Sequence, residues 1–558
     1  MKRMLSIVLC LLMVLGLATG IAVAEEPRVL TIGTNLSLGE EFINYDVFKT
    51  VQEELNMTIQ VTEYNDDSFN AMIAGGDLPD IVITNMKMQN VLGNDLAMDI
   101  APYLEEYAPN MLGDAYLAAK EFSQLMMSDD GGLYIICPCV GVHNADGGTG
   151  LSTRGYIVNW DYYKELGCPE INNDEDYFNV LMQMWENHPT TESGDPTFLM
   201  GVEKAFTDMG GYRACFTSEI SLNTWCPYLY KNNIFTNELV NGYTDIENSH
   251  YWADMKFYNK CYRAGGFDID SFTMSYDEYK AKRSNEQYMG LYYGTTDDYI
   301  PVPSAGSNWY ANVIVLTGQA PSYYAFISAG CENYDLALQF YNYIYDLDFT
   351  RTWYSGVEGK DWNYDENGVP TMTDEALAAI ASGEDPYWSS EGNGFNYRLW
   401  KLIGYNPGVL HTDGYPLDLT LVGESRVKAQ SAIEQDLAQT YGVELWADAF
   451  NSVEGGKDFR NSAEGLSGAI ADMPLDMQRI LESCNDVLYS AMPMLIMAES
   501  DEEFAAVQEE VLAEVASLGE ADAWEWYQVE WKNAQPVYNE LLIKALEANG
   551  IEPYEGLE

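Results

Sequence analysis

The chain has 558 residues, with 28 Lys and Arg against 87 Asp and Glu, for a formal net charge of −59 at pH 7. So acidic a chain disfavours nucleic acid and anionic membrane as partners, and its self-repulsion favours a solubilised secreted surface. Hydrophobic residues make up 47% and aromatics 13%, with 41 Tyr and 13 Trp, so the charge does not signal disorder.

Residues 1–24 have the pattern of a signal peptide. Lys2 and Arg3 are followed by an apolar run over 5–17, and Ala22-Val23-Ala24 offers a small-x-small cleavage site. That run is short for a membrane span. No cysteine follows it at a lipid-attachment position, because Cys10 lies inside it. The expected location is extracellular or at the cell surface, or periplasmic in a Gram-negative host. The remaining 534 residues suit two to three domain-sized cores. Eight cysteines remain, at 137, 139, 168, 215, 226, 261, 331 and 484. Cys215 and Cys226 are the best local pair for a disulfide, while a fully reduced set is the alternative.

Strands are expected over 29–33 and 58–61, around a helix at 48–55. A helix-to-strand joint follows at 74–84, AGGDLPDIVIT. Gly75-Gly76 stops a helix, Pro79 blocks its restart, and the apolar run 81–83 suits a strand covered on both faces. A strand over 133–137 leads to a Gly-rich stretch, 141–155, which suits a cleft loop or a crossover. Strand 156–159 precedes a short helix capped by Asp161 and ended by Gly167. Residues 174–187 form a helix with the stripe Phe178, Leu181, Met182 and Trp185. Strands are expected at 289–293, 313–316 and 325–328, and a helix at 333–347. From 374 onward the pattern is mostly helical, closing with long segments at 476–518, broken near Pro493, and 521–548.

No catalytic framework emerges. The four histidines, 143, 188, 250 and 411, have neither HExxH nor Cys/His zinc spacing. No nucleophile elbow, P-loop or dinucleotide fingerprint is present, and the GGTG at 147–150 lacks the Lys and helix a phosphate loop needs. Glycoside hydrolysis requires two carboxylates, but nothing singles out a pair among 87 acids. For calcium, TTESGDPT at 190–197 lacks regular acid spacing and the distal Glu, and DWNYDENG at 361–368 is better explained by a tight Asx turn. No cofactor is expected.

Five segments carry a family resemblance: 74–84; GGLYIICP at 131–138; YIVNWDYYKELGCPEINNDEDYFNVL at 156–181; YSGVEGKDWNYDENGVP at 354–370; and AMPMLIMAESDEEF at 491–504 with WEWYQVEWKNA at 524–534. Together they resemble the large extracellular solute-binding proteins that feed oligosaccharide ABC importers. The resemblance implies an α/β, two-lobe periplasmic-binding-protein-like (type II) fold with hinge crossovers and a helical C-terminal extension. It places the N-terminal lobe at 27–150 and 303–355 and the C-terminal lobe at 156–302 and 356–558. Crossovers are expected near 141–156, 300–311 and 349–359. Ligand-facing loops would follow strand ends at 35–37, 84–85 and 293–298. The implied polar contacts are Asn35, Asn85, Tyr293, Asp298, Glu358 and Arg398. The implied stacking rings are Trp225, Trp309, Trp353 and Trp362, each with core packing as the alternative. The implied function is a non-catalytic, monomeric receptor that binds a small solute, most readily an oligosaccharide, and delivers it to ABC transporter permease subunits. The alternative is a secreted glycan-active enzyme or adhesion module.

Overall fold

The computed structural model describes residues 26–36, 38, 40–44, 46–86, 88–128, 130–142, 156–204, 229–232, 238–292, 296–304, 308–315, 323–381, 402, 404–452, 457–461, 470, 473–548 and 552–553. The strands used below are β1 (Arg28–Thr34), β2 (Met57–Glu63), β3 (Ile81–Thr84), β4 (Gly141–Val142) and β5 (Tyr156–Asn159). They continue with β6 (Gly290–Leu291), β7 (Tyr299–Val302), β8 (Asn308–Val315), β9 (Tyr324–Ile327) and β10 (Lys457–Asn461). The helices used are α1 (Asp46–Glu54), α2 (Asp66–Gly75), α3 (Asp114–Met126), α4 (Trp160–Glu165), α5 (Asp174–Asn187), α6 (His250–Arg263) and α7 (Tyr276–Ser284). After them come α8 (Tyr334–Ile344), α9 (Leu347–Ser355), α10 (Ala432–Tyr441), α11 (Leu475–Ile496), α12 (Asp501–Leu518) and α13 (Glu520–Ala548).

The first sheet has the order β9-β3-β1-β2. β1 runs parallel to β2 and β3, and β9 lies antiparallel to β3 with Tyr324 opposite Thr84. All residues of β3 and β9 are buried, as the unbroken apolar run predicts. The joint before β3 forms as expected, with α2 ending on Gly76 in the left-handed conformation. A Cβ on Gly33 would lie 2.6 Å from Pro79 Cγ, so glycine lets β1 approach the proline of this joint. Asp80 then fastens three strands. Its carboxylate accepts from Thr31 N and Oγ1, Cys331 Sγ donates to its other oxygen, and its carbonyl accepts from Ser328 N.

Residues 133–140 leave this sheet beside β9, making a single antiparallel bridge, Ile136 to Ala325, where a full strand was expected. They therefore run parallel to β3 and depart past the edge where Thr84 ends. β4 continues them and pairs antiparallel with the far end of β8, Val315 opposite Gly141. After residues 143–155 the chain enters β5, and after β7 it returns through 303–307 to β8. β5 and β7 are antiparallel, with Tyr156 opposite Val302. The described strands on either side of the two crossings are thus paired with each other, β4 with β8 and β5 with β7. β10 adds a third strand, parallel to β8.

The second sheet has the order β6-β5-β7. Extended residues 198–202 lie parallel beside β6, with Phe198 N donating to Gln287 O and Gly290 N to Leu199 O. Where 333–347 suggested one helix, Asp346 accepts from Phe349 N and starts a new helix, α9. Pro493 sits inside the last turn of α11, so the break comes at 497–500 instead.

A crossover was expected near 349–359, but the chain after α9 stays with the body built on the first sheet. Residues 404–419 pack back onto it: Val140 N donates to Gly404 O, Asn406 N to Val140 O, and Tyr354 OH to Tyr405 O. Ser355 Oγ donates to Leu417 O and accepts from Leu419 N. Contact with the second body resumes at α10, where Asp436 accepts from Trp160 Nε1. α13 spans the molecule. At its start, buried Glu520 accepts from Tyr230 OH and Asn241 Nδ2; near its end, Tyr538 meets the Phe122 ring and Lys544 pairs with Glu121 of α3.

Candidate functional site

Three parallel strands end on one edge of the first sheet. Glu63 closes β2, Asn35 follows β1 and Asn85 follows β3. Each turn is shaped locally. Thr34 Oγ1 accepts from Leu36 N, Thr84 Oγ1 accepts from Met86 N, and Glu63 Oε1 accepts from Leu38 N. Tyr324 OH donates to Met86 O and holds the 85–86 turn against β9. The two amides meet, Asn35 Nδ2 donating to Asn85 Oδ1 at 2.8 Å. Asn35 Oδ1 is buried without a partner. The pair therefore keeps one free acceptor and the Asn85 amide donors for a third group.

The second sheet offers a matching edge at the end where the crossings enter and leave. Residues 198–202 and β6 both run toward it, bringing Glu203 beside Tyr292. Glu203 is 3% exposed, and its Oε2 has no partner. Burial raises its carboxyl above the ordinary range, and a hydrogen bond with the Tyr292 hydroxyl opposes the rise. Tyr279 of α7 packs its ring 5.4 Å from that of Tyr292, and its hydroxyl is also buried without a partner. Sequence reasoning missed Glu203, although an apolar run, FLMGV, directly precedes it and marks a strand pointing somewhere.

The expected site residues divide accordingly. Asn35 and Asn85 come together. Asp298 does not join them, because antiparallel pairing puts it beside Asn159 and Trp160, at the opposite end of β7 from the crossing. There burial and the neighbouring Glu286, Asp297 and Asp161 raise its carboxyl. Trp353 is 2% exposed and sits edge-on to Phe48 in the core. Trp362 is 5% exposed, donates through Nε1 to Gly356 O, and lies under the Arg351 guanidinium. Packing describes both rings. Glu358 is exposed in the turn between α9 and the hairpin at 362–372. In that turn Gly356 has φ +79°, and a Cβ there would lie 2.6 Å from an Asp361 carboxylate oxygen, so GVEGKDW is a folding motif. Trp309 lies in β8 in register with Asp458. Trp225, Tyr293 and Arg398 lie outside the described residues, as do Cys215 and Cys226.

One aspartate in each oxygen-rich loop is engaged by neighbouring groups. Asp195 accepts from Ser193 Oγ and Asn285 Nδ2. Asp365 accepts from the backbone of Asn367 and Val369, the Asx turn expected. Among the described residues no group of three His, Cys, Asp or Glu is placed to hold a metal, and no helix is long and apolar enough to cross a membrane.

No family model matches the chain. The Bacillus subtilis polygalacturonan/rhamnogalacturonan-binding protein YtcQ is 24% identical over 176 residues, 30% of this chain. The chain spans about a third of that relative's length, 32%. Solved structures align far more fully. The alginate-binding protein AlgQ2 gives a TM-score of 0.53 at 15% identity, covering 91% of this chain and 98% of that one. A solute-binding protein of Bifidobacterium longum infantis, described as binding HMO, gives 0.54 at 16%, covering 91% and 99%. The chain has the fold of ABC-transporter solute-binding proteins. FusA of S. pneumoniae, solved with kestose, gives 0.55 at 14%, covering 91% and 99%. The two-lobe α/β architecture with hinge crossovers and a helical C-terminal region holds across these alignments. The edges carrying Asn35–Asn85 and Glu203–Tyr292 belong to the first and the second sheet.

Proposed function

We propose that this chain is a non-catalytic extracellular receptor that binds an oligosaccharide between its two bodies and delivers it to ABC transporter permease subunits. The observation that carries the reading is the pair of polar edges. Each ends a sheet at the crossings, and each holds a buried hydrogen-bonding atom without a partner: Asn35 Oδ1 on one body, Glu203 Oε2 on the other. Buried polar atoms are normally paired, so such atoms at two strand ends suit a ligand rich in hydroxyls. The fold likeness supports the transport role, and the proteins it resembles are named as binding proteins. Trp309, Tyr293, Trp225 and Arg398 remain proposed contacts, and the protein is proposed to act as a monomer outside the membrane.

The test is a thermal-shift screen across mono- and oligosaccharides and peptides, followed by recovery of any ligand that binds. A ligand held by the native state raises the melting temperature. The expected result is a shift with oligosaccharides that are recovered chemically intact. A shift with peptides alone, or hydrolysis of the bound saccharide, would overturn the proposal.

A further inference from the structure

We propose, resting on the saccharide reading above, that the site selects uncharged saccharides and discriminates against uronates. The unpartnered buried atoms at the two edges are Asn35 Oδ1, Glu203 Oε2 and the Tyr279 hydroxyl. The first two are pure acceptors, the third a hydroxyl that can donate or accept. A sugar hydroxyl satisfies all three, because it donates one proton and accepts through its own lone pairs. A uronate carboxylate brings acceptors only. Placed against Asn35 Oδ1 or Glu203 Oε2 it would set acceptor against acceptor and leave buried oxygens unpaired, with only the Asn85 amide and the Tyr279 hydroxyl able to donate to it.

Charge argues the same way. Glu203 is 3% exposed, and Glu63 closes the neighbouring strand on the first edge. The Asn35–Asn85 pair is neutral, so its donors carry no charge to offset a carboxylate. One cation does reach this edge, Arg283 of α7, which acts on the hydroxyls of Tyr279 and Tyr292, and Glu203 opposes it there. The whole chain, at −59, repels a polyanion before contact.

The test is calorimetric titration of the purified protein with matched trisaccharides: glucose, galactose and mannose oligomers, each beside the uronate oligomer of the same sugar and linkage. The expected result is that at least one neutral member binds, with its uronate at least tenfold weaker. Glu203→Gln keeps the shape and removes the charge. It should shrink the neutral-to-uronate ratio several-fold while the melting temperature stays near that of the parent. A uronate that binds as tightly as its neutral partner, or tighter, overturns the selectivity and leaves the saccharide reading standing. A preference unchanged in Glu203→Gln overturns the role of Glu203. If no member of either set binds, the saccharide reading itself fails, and the selectivity with it.

Discussion

Asp413 and Asp418 stand five positions apart on the stretch that packs against α9, and their surroundings push them in opposite directions. Burial would raise the Asp413 carboxyl, but hydrogen bonds from Arg351, Tyr415 N and the Tyr364 hydroxyl outweigh it and bring it to about 2. Asp418 is pushed up to about 6 by burial, and bonds from Thr420 offset only part of that. The two signs follow. Asp413 adds stability above the ordinary carboxylate range that is lost as pH falls toward 2. Asp418 favours the fold below the ordinary range, and that contribution is lost as pH rises through 6. Melting curves of Asp418→Asn against the parent, from pH 4 to 7, should therefore diverge in favour of the variant as pH rises. Parallel curves would contradict this reading of the site. Arg351→Ala strands Asp413 and should cost about 3–5 kcal/mol, since one partner of a largely buried pair is removed. Trp353→Ala opens the core beside Phe48 and should cost about 3–5 kcal/mol while leaving affinity at low temperature unchanged. Weakened binding at a normal melting temperature would restore Trp353 to the site.

At the level of elements, the joint at 74–84 was legible because its causes are local: a glycine cap, a proline, and a strand buried on both faces. So were Asn35 and Asn85, since residues just after parallel strands share an edge. Asp298 was not legible. Its end of β7 depends on antiparallel pairing with β5, and nothing in the TTDDY turn reveals that partner. The placement of 404–419 was hidden for the same reason, being set by hydrogen bonds to residues some 270 positions earlier, such as Asn406 Nδ2 to Cys139 O. Trp353 and Trp362 were named as stacking rings with packing as the alternative, because a tryptophan near a hinge and one in a core carry the same sequence signal. The tie between α13 and the hairpin at 230–241 is equally long-range, and it yields a prediction. Glu520→Leu leaves the Tyr230 hydroxyl and Asn241 amide buried without their acceptor, at roughly 1–3 kcal/mol each. Hydrogen exchange should show faster opening of residues 230–232 and 239–241 in that variant, with α3 unaffected; unchanged protection of the hairpin would mean Glu520 does not hold it.

Across the whole molecule, the crossings are the feature on which function turns. The strands flanking the two crossings pair antiparallel, and β10 pairs parallel with β8 beside them. Such a connection permits hinge closure around a ligand, so small-angle scattering should show a smaller radius of gyration when a binding saccharide is saturating. An unchanged profile would indicate a site that is already closed. The central claim is that one ligand is gripped from both sheets at once. Calorimetric titration of a saccharide that binds, on the parent and on Asn85→Ala and Glu203→Ala, tests it most directly. The account predicts one site per chain, a saccharide recovered intact, and an affinity about tenfold or more weaker in each variant, with both still folded. Parent-like affinity in either variant would contradict it.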